Sequence, residues 1–133
     1  IGALLLDGIG DTIRVSLTDN PVEEVLFAKE ILRAVGKDKN YCEVISCPSC
    51  GRCGINLIAV AQEIKEYVKD IKKPMKIAVM GCAVNGPGEA ADADLGLAGG
   101  QGKAEFLKNG KVFRTVAADD MTEEFKREID KIR

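Results

Sequence analysis

Histidine is absent from all 133 residues. That removes the commonest metal ligand and the commonest general base, so proton chemistry here must use carboxylates, lysines, tyrosines or groups activated by a metal. A one-sided charge is missing too: 19 Lys and Arg stand against 21 Asp and Glu, for a net charge of −2. Such a balance gives no general attraction to nucleic acid or to an anionic membrane, and neither is expected as a partner. No apolar run approaches the ~20 residues that cross a bilayer. No signal-peptide pattern is visible, and the expected location is cytoplasmic. Internal repeats and low-complexity segments are also lacking. The lysines at 65, 69, 72, 73 and 76 form the one local basic cluster, read as a solvated helix end.

What is present reads as an ordinary globular protein, 46% apolar and 30% charged, long enough to bury a core without disulfide staples. Five cysteines are an odd count, and they cluster around a Cys-x-x-Cys. Without an export signal, that favours reduced thiols binding metal over a disulfide framework. The informative stretches are Cys47-Pro-Ser-Cys50-Gly-Arg-Cys53 and Met80-Gly-Cys82-Ala-Val-Asn-Gly-Pro-Gly-Glu89. Proline and glycine beside such thiols bend the backbone so that sulfurs from distant segments can face one point.

The opening residues, Ile1 to Gly10, read as the interior of an apolar pattern, and the chain is expected to be a piece of a longer protein. Thr12 to Leu17 alternates polar and apolar residues, which predicts a strand. Asn20-Pro21, with Glu23 in the first turn, opens a helix; Val22, Val25, Leu32 and Val35 share one face and Gly36 ends it. The polar segment Lys37 to Asn40 is the expected boundary, dividing the chain into 1–37 and 41–133. Beyond it, Tyr41 to Ser46 reads as a strand delivering Cys47 at its end, and Ile55 to Lys72 as an amphipathic helix. Lys76 to Met80 is an apolar strand ending at Gly81-Cys82. Leu95 to Ala98, Ala104 to Lys108 and Val112 to Val116 follow as strands, the last two joined by an Asn109-Gly110 hairpin turn. A final helix begins near Asp120 as N-cap with Glu123 in capping-box position, burying Met121, Phe125, Ile129 and Ile132. Both cysteine motifs lie just beyond predicted strands. If those strands are parallel neighbours, Cys47, Cys50 and Cys82 meet at one sheet edge, where sites form in open α/β sheets.

A thiolate set without histidine favours an iron–sulfur group or zinc. Zinc would prefer two paired dithiols, and there is no second Cys-x-x-Cys around Cys82. Cys53 extends the run toward a bacterial ferredoxin pattern, but Gly54-Ile-Asn-Leu57 lacks the fourth cysteine and its proline. Cys42, inside a predicted strand, reads as core. Glu89 is either a solvated carboxylate on a glycine-rich turn or an oxygen ligand on one iron of a cluster otherwise held by thiolates.

Ile45-Ser-Cys-Pro-Ser-Cys-Gly-Arg52, Ile77-Ala-Val-Met-Gly-Cys82 and Val84-Asn-Gly-Pro-Gly-Glu89, followed by Ala91-Asp-Ala-Asp94 and Gly99-Gly100, closely resemble the 4-hydroxy-3-methylbut-2-enyl diphosphate synthase family. Gly8-Ile-Gly-Asp-Thr-Ile-Arg-Val-Ser-Leu-Thr18 resembles the end of that family's TIM barrel. The resemblance spans nearly the whole chain and the C-terminal third or so of the family. It implies reductive dehydration and ring opening of 2-C-methyl-D-erythritol 2,4-cyclodiphosphate in the methylerythritol phosphate route to isoprenoids, with electrons from ferredoxin or flavodoxin.

By motif, the resemblance assigns a [4Fe–4S] cluster to Cys47, Cys50, Cys82 and Glu89, with Glu89 also the catalytic ligand that substrate replaces. Asn85 is placed beside the exchangeable iron, while Arg14 and Ser16 match barrel-end residues that bind diphosphate. The implied fold is an α/β, two-layer mixed sheet with helices, similar to the cluster domain of sulfite and nitrite reductases, preceded by the last strand and helix of a TIM barrel. The family is homodimeric, its active site formed between one subunit's barrel and another's cluster domain, so this chain alone is expected to be inactive. Position 53 departs from the family, which commonly has threonine there. The competing expectation is a zinc-stabilised, non-catalytic interaction module.

Overall fold

The computed structural model describes residues 1–133, which divide into two units, Ile1–Asn40 and Tyr41–Arg133. In the first, helix α1 (Gly2–Leu6) leads through a segment without regular structure to helix α2 (Pro21–Ala34). Asn20 caps α2: its side-chain oxygen accepts from the Val22 amide at 3.0 Å, and Pro21 fills the first turn, where no amide is needed. Gly36 follows the helix at φ +71, a left-handed stop that glycine adopts freely. The segment 12–17, expected as a strand, pairs with nothing. Alternation equips a segment to line a sheet, but a strand exists only where a neighbour completes its hydrogen-bond ladder. Of the expected strand and helix, the structure therefore contains the helix. Nor does the apolar stripe of α2 become a core: Val22, Val25, Leu26 and Phe27 are all about half exposed, and no residue of α2 is fully buried. Within this unit the stripe has only the five-residue α1 to pack on.

The second unit is built on one five-stranded mixed sheet of order β1-β2-β3-β4-β5. Its strands are β1 (Cys42–Ser46), β2 (Met75–Met80), β3 (Leu95–Gly99), β4 (Lys103–Lys108) and β5 (Lys111–Ala117). The first three run parallel, in register from Cys42↔Met75 to Ser46↔Val79 and from Ile77↔Leu95 to Met80↔Ala98; β4 and β5 are antiparallel. Helix α3 (Leu57–Val68) connects β1 to β2, the short α4 (Gly86–Glu89) lies between β2 and β3, and α5 (Met121–Asp130) ends the chain. The β4–β5 hairpin turns at Asn109 and Gly110, both with positive φ (51° and 72°), as the right-handed twist of such a ribbon requires.

The period of two sorts the sheet into two faces. Ile77, Val79, Leu95, Leu97, Ala104 and Phe106 meet Leu57, Val60, Ile64 and Val68 of α3 and Met121, Phe125 and Ile129 of α5 in the main core. Ala78, Met80, Ala98 and Leu107 face the other way, against Ala90 and Ala93 just after α4. Covered on both faces, β2 reads as a nearly continuous apolar run. Small residues predominate on the second face because α4 lies almost on the sheet: a Cβ at Gly86 would stand 2.9 Å from Ala98 Cβ.

Two helices differ at their ends from the sequence reading. α3 starts at Leu57 because Asn56 caps it, accepting from the Ala59 amide, and it ends at Val68, whose C=O accepts from Ile71 N–H in the turn that follows. At α5 the predicted capping box does not form. A 3₁₀ turn over Ala118–Asp120 runs directly into the helix, so Asp120 already has near-helical dihedrals and makes no side-chain cap. Of the clustered lysines, Lys69 pairs with Glu66, Lys76 stands 3.7 Å from Glu43 and Lys73 donates to the Ile132 carbonyl.

Candidate metal centre

Because β1 and β2 are parallel neighbours with Ser46 opposite Val79, both cysteine loops leave the sheet at the same edge. The first loop folds back on itself, the Ser49 amide donating to Cys47 C=O at 3.1 Å and the Cys53 amide to Cys50 C=O at 3.0 Å. Two backbone N–H groups tie it to the second loop: Gly54 N–H donates to Gly81 C=O at 2.8 Å, and Gly81 N–H to Cys47 Sγ at 3.3 Å.

The second loop winds into α4. Gly86 N–H donates to Cys82 C=O at 3.1 Å and Glu89 N–H to Asn85 C=O at 3.0 Å, so helical turns already operate from Cys82 onward. Cys82, Asn85 and Glu89 are therefore three and four apart along one helical path and share a side. The backbone amides of Asn85 and Val84, then that of Gly86, gather around the Cys82 thiol and hold it below the ordinary thiol range, against opposition from burial and from Glu89. A thiolate is the form that ligates metal.

These pieces enclose one open pocket of ≈ 510 Å³, lined by Cys47, Pro48, Cys50, Gly51, Arg52, Cys82, Asn85 and Glu89. All four expected ligands and Asn85 thus line the same cavity. No three Cys, Asp or Glu side chains close into a site for a single ion; the donors are distributed around the pocket. Arg14 and Ser16 lie in the first unit, on the segment before α2, and both are exposed.

The sequence reading did not single out Arg52 as a site residue. Its guanidinium Nη1 donates to Asn85 Oδ1 at 3.4 Å, bridging the two loops across the pocket. Its place in Cys-Gly-Arg, directly after a ligand candidate, was the available signal. Cys53 points elsewhere: its Sγ donates to Ile55 C=O at 3.2 Å, and the side chain packs against the main core. Cys42 also packs on that core, its thiol pushed up to about 11 by burial and then by the charges of Asp94 and Glu43. Neither lines the pocket.

Residues 43–131 match the family model described as the GcpE protein C-terminal domain, and residues 1–29 match the GcpE TIM-barrel domain. Similar curated proteins include three named 4-hydroxy-3-methylbut-2-en-1-yl diphosphate synthase (flavodoxin). That of Anoxybacillus flavithermus is 54% identical over 132 residues, which are 99% of this chain and 36% of the relative. That of Geobacillus thermodenitrificans is 53% identical over 132 residues, 99% of this chain and 35% of the relative. That of Bacillus subtilis is 52% identical over 130 residues, 98% of this chain and 34% of the relative. The chain spans about a third of the length of these relatives. With one family model accounting for most of its residues, site pocket included, the chain belongs to the GcpE family through that family's C-terminal domain.

Proposed function

We propose that this chain is the cluster-holding portion of a 4-hydroxy-3-methylbut-2-enyl diphosphate synthase, an iron–sulfur oxidoreductase of isoprenoid biosynthesis. The observation that carries the reading is the single pocket lined by three thiols and one carboxylate from two loops at one sheet edge. A single zinc ion needs four donors about one point at roughly 2.0–2.3 Å. A polynuclear cluster takes each donor at a different metal atom. The soft, histidine-free donor set, with a lone carboxylate and no second Cys-x-x-Cys, favours the cluster. We therefore assign Cys47, Cys50, Cys82 and Glu89 to a [4Fe–4S] group, which when bound supplies single electrons and a Lewis-acidic iron.

The residues divide the remaining work. The three thiolates anchor the group firmly. Glu89, exposed on α4, offers a harder oxygen and is the donor that substrate can replace. Asn85, with its side-chain oxygen directed at Arg52, leaves its amide N–H groups for a substrate oxygen. The proposed substrate is the cyclic diphosphate 2-C-methyl-D-erythritol 2,4-cyclodiphosphate, which is opened and reduced by two electrons with loss of water. Arg14 and Ser16 are proposed to hold its diphosphate, as a guanidinium fork and a hydroxyl would. The relatives' printed names favour flavodoxin as electron donor, with ferredoxin the alternative. A homodimer, a cytoplasmic location and a likeness to the cluster domain of sulfite and nitrite reductases complete the proposal. No helix of the chain is long and apolar enough to cross a membrane.

Anaerobic reconstitution with iron and sulfide, followed by metal analysis and a visible spectrum, tests the assignment. A brown sample with a full iron complement supports it. A colourless sample holding stoichiometric zinc overturns it in favour of a zinc-stabilised interaction module. The reconstituted chain should turn over no substrate by itself, because positioning of the diphosphate supplies several kcal/mol of such a barrier.

A further inference from the structure

We infer that Cys53 and Gly81 form one positioning couple that seats the sulfur of Cys47; this rests on the iron–sulfur reading and deepens it. Residue 81 is tied through both of its backbone polar groups. Its N–H donates to Cys47 Sγ at 3.3 Å and its C=O accepts from the Gly54 amide at 2.8 Å. What keeps that backbone in place is the side chain of Cys53. A Cβ on residue 81 would lie 2.6 Å from Cys53 Sγ, and 3.4 Å from both Cys53 Cβ and Leu57 Cδ2. Favourable contacts between heavy atoms lie nearer ~3.5–4.0 Å, so the Cys53 sulfur occupies the space a side chain would need.

Moving that sulfur has a cost. It is held by its bond to Ile55 C=O at 3.2 Å, and rotating it away breaks the bond. Leu57, 4% exposed, closes the space from the helix side. The space a Gly81 side chain would need is thus taken by Cys53 and Leu57, while the Gly81 amide faces Cys47. A hydrogen bond to a ligating sulfur draws charge from it, which fixes the ligand's orientation and raises the reduction potential of the group it holds. Cys53 therefore acts on the cluster without touching it, through residue 81. The peptide that follows carries Cys82, so the same contact steadies a second ligand.

The test uses four whole chains: wild type, Gly81→Ala, Cys53→Ala and the double variant. Each is reconstituted anaerobically with iron and sulfide. Iron per chain and cluster reduction potential are measured, and thermal unfolding is followed before any metal is added. Gly81→Ala is expected to lose more than half of its iron and to melt lower when metal-free. Cys53→Ala is expected to keep its iron but show a more negative potential, because the amide is no longer pressed toward Cys47. In the double variant the new methyl takes the place of the lost sulfur, so iron content, potential and metal-free melting all return toward wild type. A merely structural role for Cys53 would leave the potential unmoved.

Wild-type iron and melting in Gly81→Ala, or a double variant no better than Gly81→Ala, would overturn the inference. If Gly81→Ala fails to fold, recovery or non-recovery in the double variant decides it. Absence of iron from every chain, wild type included, overturns the iron–sulfur reading instead, and the metal-free melting series then supports or overturns the couple by itself.

Discussion

Replacing Phe125 with alanine examines whether the second unit is held together as described. The ring is fully buried on α5, packs against Phe106 with centroids 5.2 Å apart and planes tilted by 54°, and belongs to the core that α3 and α5 make with the sheet. Truncating such a ring removes its transfer free energy and leaves a cavity, at a cost of about 3–5 kcal/mol. The tilted ring pair accounts for roughly 0.5–1.5 kcal/mol of interaction beyond area. Neighbours on a sheet cannot collapse far into the hole, so the upper half of the range is expected. Domains of this kind have total stabilities of about 5–15 kcal/mol, so the variant should fold with little in reserve. In urea, with a slope near ~2 kcal/mol per molar, the midpoint should fall by about 2 M. Phe125→Leu, which keeps most of the volume, should lose less than half as much. The pocket residues belong to the loops beyond β1 and β2, not to α5, so iron bound per folded chain should match wild type. A loss under about 1 kcal/mol, well below the cavity range, would mean that α5 does not pack on the sheet as described.

Three further outcomes are expected. Cys47→Ser, Cys50→Ser and Cys82→Ser should each prevent stable reconstitution, since a hard oxygen replaces a soft thiolate; a full iron complement in all three would defeat the ligand assignment. In a full-length relative, the Glu89→Ala equivalent should assemble a cluster that loses iron readily, and the Glu89→Cys equivalent should hold iron more firmly yet turn over poorly. Wild-type turnover in the latter, with an all-thiolate EPR spectrum, would show that no exchangeable oxygen ligand is needed. Glu128, 8% exposed, is held below the ordinary carboxylate range by Lys131 and then Arg114, at 2.7 and 2.8 Å. A depressed carboxylate stabilises the fold above the unfolded value of about 4.3, and that contribution fades as pH falls through the lower folded value. Glu128→Gln should therefore cost on the order of 1 kcal/mol at pH 7, discounted because both cations reach solvent. Unfolding midpoints of the two proteins should converge in acid, and a constant gap across the titration would contradict the ionic origin.

Where a local pattern carried its own physical cause, it was readable. The Asn20-Pro21 cap, the Asn109-Gly110 turn and the apolar run of β2 each follow from nearby residues alone, and the structure contains all three. Thr12 to Leu17 had an equally clear alternation and is not a strand, because pairing belongs to two segments and one segment's pattern cannot supply the other. α1 is only five residues long, too short for a helical period to register. At α5 the capping signature was present, but a 3₁₀ turn before it changed the dihedrals on which a cap depends. The cysteine loops could be placed at strand ends, yet their meeting rested on β1 and β2 being parallel neighbours, which only the sheet could establish. The role of Gly81 was beyond reach of sequence altogether: a residue without a side chain gives no sign of what stands over it.

The parallel register of β1 and β2 also constrains the order in which such a protein can be assembled. A slip of one residue would move Cys47 about 3.3 Å along the sheet relative to Cys82 and turn it to the opposite face. In the unfolded chain, Cys47 and Cys50 have Cys42 and Cys53 for near neighbours, while Cys82 and Glu89 are more than thirty residues beyond Cys50 along the backbone. A metal arriving early would meet only the neighbouring thiols of the first segment, Cys53 among them, and could trap wrong pairings. Delivery after the sheet has closed would meet all the donors proposed above. The bound group would then act as a proofreader of the fold: chains whose strands paired out of register would never acquire colour, and pigment would certify correct topology chain by chain.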